Sequence, residues 1–233
     1  MKKAIIMFAA LILIAAPAMA DPRIIVSTNW PYQSGNAGEF LLTLRDPIQY
    51  GNVSLPAGTQ MATFCMEEWE NISWGDNYLY ARVNTAAVLG NGGGDGQSDP
   101  LDTMTAYLYT KMMNGTLAGY YTNPAGRRAS AGELQRAMHY IEGELGAGQT
   151  PVAFLGAWSL GLQFYNEALE ATTPGTDNNI TWSGIGDVRV LNTYWYSNGT
   201  GLSQDVLIIP APAAVLLGAL GLGLVGWLKR RMA

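Results

Sequence analysis

Two residue types that occur once each carry much of the chemistry this chain offers. Cys65 is its only cysteine and His139 its only histidine. A single thiol cannot close an internal disulfide, so Cys65 needs another explanation. It is a small buried hydrophobe, as unpaired cysteines commonly are, or it pairs with a second chain, or its chemistry is set by its neighbours and by a segment 70 residues further on. His139 follows Gln135 by four positions, which puts the two on one face if that segment is helical. A lone imidazole there could carry a proton to or from Cys65; the structural alternative is a histidine at the surface or the core edge. Glu67, Glu68 and Glu70 invite a carboxylate-pair reading, which needs two carboxyls about 5–10 Å apart across a scissile bond; a solvated face is the simpler account. Asp95, Asp99 and Asp102 could bring oxygen ligands to Ca²⁺, against a plain Gly-rich loop that caps the next helix through Asp99. The EF-hand spacing is missing, no Gly-Lys-Ser/Thr follows the glycines, and one Cys with one His cannot build a zinc site. No metal, no cofactor and no enzymatic turnover are therefore expected.

These residues need a frame to hold them. Glu39 to Arg45, Gln60 to Glu67 and Tyr78 to Val83 are short runs of strand-forming residues between Gly, Pro and Asn clusters. Helical signals follow. Asp99-Pro100 supplies a cap and an N1 proline ahead of Leu101, Met104, Leu108 and Met112, with Asn114-Gly115 closing the segment. Ser130 and Glu133 form a capping-box pattern before Leu134, Met138, Ile141 and Leu145, with Gly146 after the end. Thr150-Pro151 opens a third run through Val152, Leu155, Trp158, Leu162, Tyr165 and Leu169, ended by Thr173-Pro174-Gly175. Asp187 to Tyr194 and Leu202 to Ile209 read as strands again. The expected fold is α+β, an antiparallel β-sheet or barrel with a segregated group of about three helices. The Leu134, Met138 and Ile141 stripe is expected to face the sheet that carries Phe64, with Gln135 at its edge.

With the elements in place, Phe64-Cys65 on a strand and Leu134-Gln135-Arg136-Ala137-Met138-His139-Tyr140 on a helix resemble the thioester domain of bacterial surface adhesins and pilus tips. In that family an aromatic-Cys strand is bonded to the Gln of a Thr-Gln-x-Ala-Ile-Trp helix. Phe64, Cys65, Gln135 and Ala137 match, while Leu134, Met138 and His139 stand where the family has Thr, Ile and Trp. The resemblance implies an acyl thioester between Cys65 and Gln135, opened by an amine on a partner. Phe64, Tyr140 and nearby tryptophans are expected to shield it, and His139 to shuttle the proton.

The two ends carry sorting signals. Lys2-Lys3, an apolar run from Ala4 to Ala16 and the small-residue pattern Ala18-Met19-Ala20 form a secretory signal peptide, placed at residues 1–20. At the other end, Pro210-Ala211-Pro212 precedes sixteen apolar or glycine residues, Ala213 to Leu228, stopped by Lys229-Arg230-Arg231. Sixteen is short against the usual span of about 20 residues, but the basic stop and Trp227 suit a C-terminal transmembrane helix with its end in the cytoplasm. This segment, 210–233, resembles the PEP-CTERM class of bacterial sorting signals, closest to its Val-Pro-Leu-Pro-Ala variant. The resemblance implies an exosortase-type processing protease as partner.

Between the signals lies one extracytoplasmic domain, residues 21–209, long enough to bury about 70% of its unfolded surface. It holds all 18 acidic residues against 8 basic ones, a formal charge of −10, so phosphate contacts to nucleic acid are excluded as its business. The expected protein is exported, anchored at the inner membrane by its tail and released to the cell surface or extracellular matrix after processing. Its expected role is attachment to an amine-bearing or polysaccharide matrix partner. A non-covalent structural or glycan-binding matrix module is the alternative, with a secreted hydrolase third.

Overall fold

Phe40-Leu41-Leu42-Thr43-Leu44 buries its first, third and fifth side chains and leaves the two between them half-buried, the period of two that places a strand on a core. The computed structural model describes residues 21–27, 31–34, 37–68, 70, 78–88, 98–174 and 181–209. In chain order the strands are β1 Arg23–Ser27, β2 Gln33–Ser34, β3 Ala37–Gly38, β4 Phe40–Leu44, β5 Ile48–Tyr50, β6 Val53–Leu55, β7 Gln60–Thr63, β8 Leu79–Asn84, β9 Ala86–Ala87 and β10 Asp99–Pro100. Helices α1 Thr103–Met113, α2 Pro124–Ile141, α3 Pro151–Leu155 and α4 Leu160–Thr172 follow, and β11 Arg189–Tyr194 and β12 Leu202–Ile208 complete the order. The fold is α+β, with its helices consecutive and set apart from an antiparallel sheet.

The main sheet has the order β12-β11-β8-β1-β4-β7, with each neighbouring pair of strands antiparallel. Its two edge strands meet. Leu207 N–H donates to Phe64 O at 3.1 Å and Met66 N–H to Asp205 O at 2.9 Å, while the Thr63 hydroxyl donates to Leu207 O at 2.6 Å. The chain just past β7 thus bridges to β12, Cys65 opposite Val206, and the sheet closes like a barrel. One core cluster fills its interior, with Ile24, Phe40, Leu42, Leu79, Leu191 and Ile208. A second lies between sheet and helices and includes Phe64, Tyr109, Leu134, Met138 and Phe164.

Helix α2 is fixed at several points. Asn123 caps it by accepting from Gly126 N–H at 2.9 Å, and Pro124 takes the first turn, where its missing N–H costs nothing. Glu39, fully buried beside β4, accepts from Arg127 Nε at 2.8 Å and Nη2 at 2.6 Å. Gly132 lets β2 come close, since a Cβ there would sit 3.0 Å from Ser34 Oγ. The Leu134 and Met138 stripe is buried in the same cluster as Phe64, with Ile141 packed against it, as the apolar spacing anticipates. Tyr109 of α1 donates its hydroxyl to Ala62 O at 2.7 Å, pinning that helix to β7.

The helix starts differ from those read in the sequence. Helix α1 is capped by Asp102, whose carboxylate accepts from Met104 N–H at 2.6 Å; Asp99-Pro100 is β10, paired with Ala86-Ala87. Ser130 and Glu133 are no capping box, because α2 begins six residues earlier than Ser130. Glu133 instead accepts from Gly161 N–H at 3.1 Å, serving the first turn of α4. The third helix is two. Gly156 at φ +96° breaks it, and Ser159 recaps the chain by accepting from Leu162 N–H at 3.0 Å. Trp158 falls in the break and is 94% exposed, so it belongs to no buried stripe. Among the described residues there are four helices where about three were expected, and the strand expected over 60–67 ends at Thr63. The expected signal peptide (1–20) and the expected sorting segment 210–233, with Pro210, Ala211, Pro212, Lys229, Arg230 and Arg231, lie outside the described residues. Among the described residues no helix is long and apolar enough to cross a membrane.

Candidate functional site

The site grows from the way the chain leaves β7. Side chains alternate there. Phe64 and Met66 enter the cluster shared with the helices, whereas the Cys65 side chain, 6% exposed, packs with the sheet interior. Because Phe64 O and Met66 N–H are the groups bonded to β12, the N–H and C=O of Cys65 itself point the other way. Among the described residues no strand pairs with them on that side, and α2 supplies the partner. The Gln135 side chain, fully buried, accepts from Cys65 N–H through Oε1 at 3.0 Å and donates from Nε2 to Cys65 O at 2.7 Å. A carboxamide offers one acceptor and one donor side by side, so it replaces the missing strand residue. Its carbon is thereby held beside the backbone of Cys65.

One turn along the same buried face, His139 is 4% exposed. Its Nδ1 lies 2.9 Å from Glu68 Oε2, three residues after Cys65. That hydrogen bond holds the Glu68 carboxyl below its usual range and fixes the ring. Its Nε2 is buried without a hydrogen-bond partner among the described residues. The Cys65 thiol is pushed well above its ordinary pKa, by burial first and then by the charges of Glu68, Glu70 and Glu67. At neutral pH it is a thiol, and its proton needs a base to leave.

A carboxylate cluster adjoins this segment. One oxygen each of Glu67, Glu70 and Asp205 lie within 4.8 Å of one another. Asp205 is held by three donors, Thr193 N–H at 2.9 Å, Val88 N–H at 2.8 Å and Asn192 Nδ2 at 2.6 Å. Among the described residues neither oxygen of Glu67 accepts from a donor, nor does one of Glu70, and the two carboxyls meet each other. Burial and the adjoining carboxylates push Glu67 up to about 10, and burial raises Asp205 to about 7 against its three donors.

Of the residues singled out in the sequence, Cys65 and Gln135 are thus in contact, and His139 is buried against Glu68. Tyr140 does not shield Cys65; it stacks on Phe154 at 5.6 Å and meets Tyr165 edge-on at 5.5 Å. Phe64 is fully buried and meets Tyr109 edge-on at 6.4 Å. The calcium candidates Asp99 and Asp102 take up structural places in β10 and at the cap of α1, and Asp95 lies outside the described residues. Glu68 as the partner of His139, and Asp205 as a neighbour of Glu67, were not readable from spacing. The one hint was an acid buried directly ahead of an apolar run, Asp205-Val206-Leu207-Ile208. No family model, curated protein or solved structure matches this chain.

Proposed function

We propose that this is an exported attachment protein of the bacterial envelope or extracellular matrix, whose Cys65 and Gln135 form an internal thioester that reacts with an amine on its partner. The observation that carries the reading is the two-point hydrogen bond that sets the Gln135 carboxamide against Cys65. Cys65 N–H, 3.0 Å from Oε1, polarises the carbonyl and is placed to stabilise the oxyanion that forms when sulfur attacks. The thiol proton passes to a base, for which His139, the chain's only imidazole, is the candidate, and then to the departing nitrogen. The S–C bond forms, the C–N bond of the carboxamide breaks, and ammonia leaves. A primary amine later reverses the exchange at the same carbon, forming an amide to Gln135 and returning the thiol. Burial of Cys65 and Gln135 keeps water from the acyl group before that. The chemistry is spent once per molecule, so attachment and not turnover is its use. The terminal signals suit the role. A secretory leader exports the domain, and a PEP-CTERM-like segment over 210–233, with its apolar run from Ala213 to Leu228, anchors it until an exosortase-type protease acts.

Intact mass and thiol labelling of the purified protein test the bond. The protein is expected to be lighter by one ammonia, to resist thiol reagents at Cys65, and to regain mass and a free thiol with methylamine. Cys65→Ala and Gln135→Ala each abolish all three behaviours. Full labelling of native, untreated protein with an unmodified mass overturns the thioester. A non-covalent glycan-binding matrix module is then the better reading, favoured by Trp158, 94% exposed between α3 and α4, and by Tyr196, 63% exposed after β11.

A further inference from the structure

We propose that Glu67, Glu70 and Asp205 bind one calcium ion, which ties the segment carrying Cys65 to β12. The inference goes beyond the attachment reading and does not depend on a thioester. Its first support is the shape of the donor set. Three carboxylates from two distant parts of the chain each present an oxygen, all within 4.8 Å. Two oxygens bound to one calcium at roughly 2.3–2.6 Å can stand at most about 5 Å apart, so the spacing suits a shared ion. The second support is independent of the cluster's charge. Glu67 is 2% exposed, yet neither of its oxygens accepts from a donor among the described residues; its carboxyl meets that of Glu70, a pair of acceptors that only a shared proton or a cation can join. A buried carboxyl with both oxygens unserved is costly unless something else satisfies it. One oxygen of Glu70 is unserved in the same way.

The surroundings are built to keep these groups in place. Asp205 is aimed by two backbone N–H groups and Asn192. The main chain at Glu67 is clamped from β12, because Gln204 Nε2 donates to Glu67 O at 2.7 Å. Glu67 and Asp205 are thus locked in relative position before any ion arrives. An all-oxygen set with neither imidazole nor thiolate selects a hard cation. Three carboxylates, each able to bind through one or both oxygens, suit the 6–8 ligands of calcium better than the hydrated octahedron of magnesium. The ion would cross-link the chain two residues past Cys65 to the strand that faces Cys65 at Val206.

The test is calcium titration of the full-length protein after chelator stripping, followed by calorimetry and by thermal melting. One ion per chain is expected, with the melting temperature raised by about 5 °C or more at saturating calcium. Magnesium should bind at least about tenfold more weakly. Glu67→Gln and Glu70→Gln should each lower calcium affinity at least about tenfold. Glu70 is the less buried of the two, so its variant keeps the test sound if Glu67→Gln disturbs folding, and melting of each stripped variant checks that it folds. Three results would overturn the site: no calcium uptake by the stripped wild type, uptake unchanged in both variants, or magnesium bound as tightly as calcium. None of these depends on amine reactivity, so loss of the thioester reading and loss of the calcium site are told apart.

Discussion

The carboxamide of Gln135 makes both of its hydrogen bonds to the backbone of one residue, Cys65, at 3.0 and 2.7 Å. An asymmetry between two substitutions follows. Cys65→Ala keeps the backbone groups and therefore both bonds. Gln135→Leu leaves a buried N–H and a buried C=O without partners, at about 1–3 kcal/mol each. The Gln135 variant should melt clearly below the Cys65 variant, although both lose any thioester. Equal melting temperatures would mean that the contact contributes nothing to the closure of the sheet.

Helix α2 buries Leu134 and Met138 against Phe64. Met138→Asp puts an unpaired charge at a position 1% exposed and should cost several kcal/mol, on the order of 3–5. Chemical denaturation reads this directly. An unchanged midpoint would remove the helix from the core.

How far these contacts were legible depended on what makes them. The stripe at Leu134 and Met138 follows from helical periodicity alone, which set Gln135 only at its edge, whereas the structure buries it fully. Strands β4, β8, β11 and β12 were legible for the same kind of reason, as short strand-forming runs between turn residues. The start of α2 was not, because Pro124 to Arg128 carries no apolar stripe; the cap at Asn123-Pro124 was present but stood ahead of the first periodic residue. The split between α3 and α4 was hidden because Val152, Leu155, Trp158 and Leu162 keep a helical spacing across Gly156. Asp205 was illegible for another reason. Its partners Val88, Asn192 and Thr193 are brought to it by the order β12-β11-β8 and by the turn after β9, which no local pattern encodes.

Arg127 joins α2 to the sheet through Glu39, which is fully buried, and its guanidinium lies 4.2 Å from the Tyr32 ring centroid. Arg127→Ala strands the carboxylate without its cation, and stability should fall by about 3–5 kcal/mol. Arg127→Lys should recover only part of this, because an ammonium cannot reproduce the two-point contact made through Nε and Nη2. Melting of the two variants side by side decides it; full recovery with Lys would show that charge alone matters there.

The proposed anchor carries a separate prediction. Deleting residues 213–233 should release the exported domain in soluble form, since the apolar run and its basic stop are the proposed anchor. A deletion variant that still sediments with membranes after a salt wash would place the attachment elsewhere in the chain.

Stability should also depend on pH through Glu142, which follows the last residue of α2. Burial pushes its carboxyl up to about 8 from 4.5, with the charges of Asp102 and Asp99 adding to the shift and the backbone N–H of Asp102, 3.3 Å from both oxygens, opposing it. A carboxyl whose folded pKa lies above its unfolded value binds more protons in the folded state. Stability is then fully present below the unfolded pKa and is lost as pH rises through the window up to the folded one. Here the window runs from about 4.5 to about 8. The melting temperature should therefore fall as pH is raised across it. Glu142→Gln, which keeps the acceptor and cannot ionise, should flatten this part of the profile and be the more stable form at pH above about 8. Asp205, raised to about 7, contributes a slope of the same sign, so the comparison is made between wild type and Glu142→Gln under one chelated buffer series. Parallel profiles for the two proteins would mean that Glu142 ionises in the folded state as easily as in the unfolded chain.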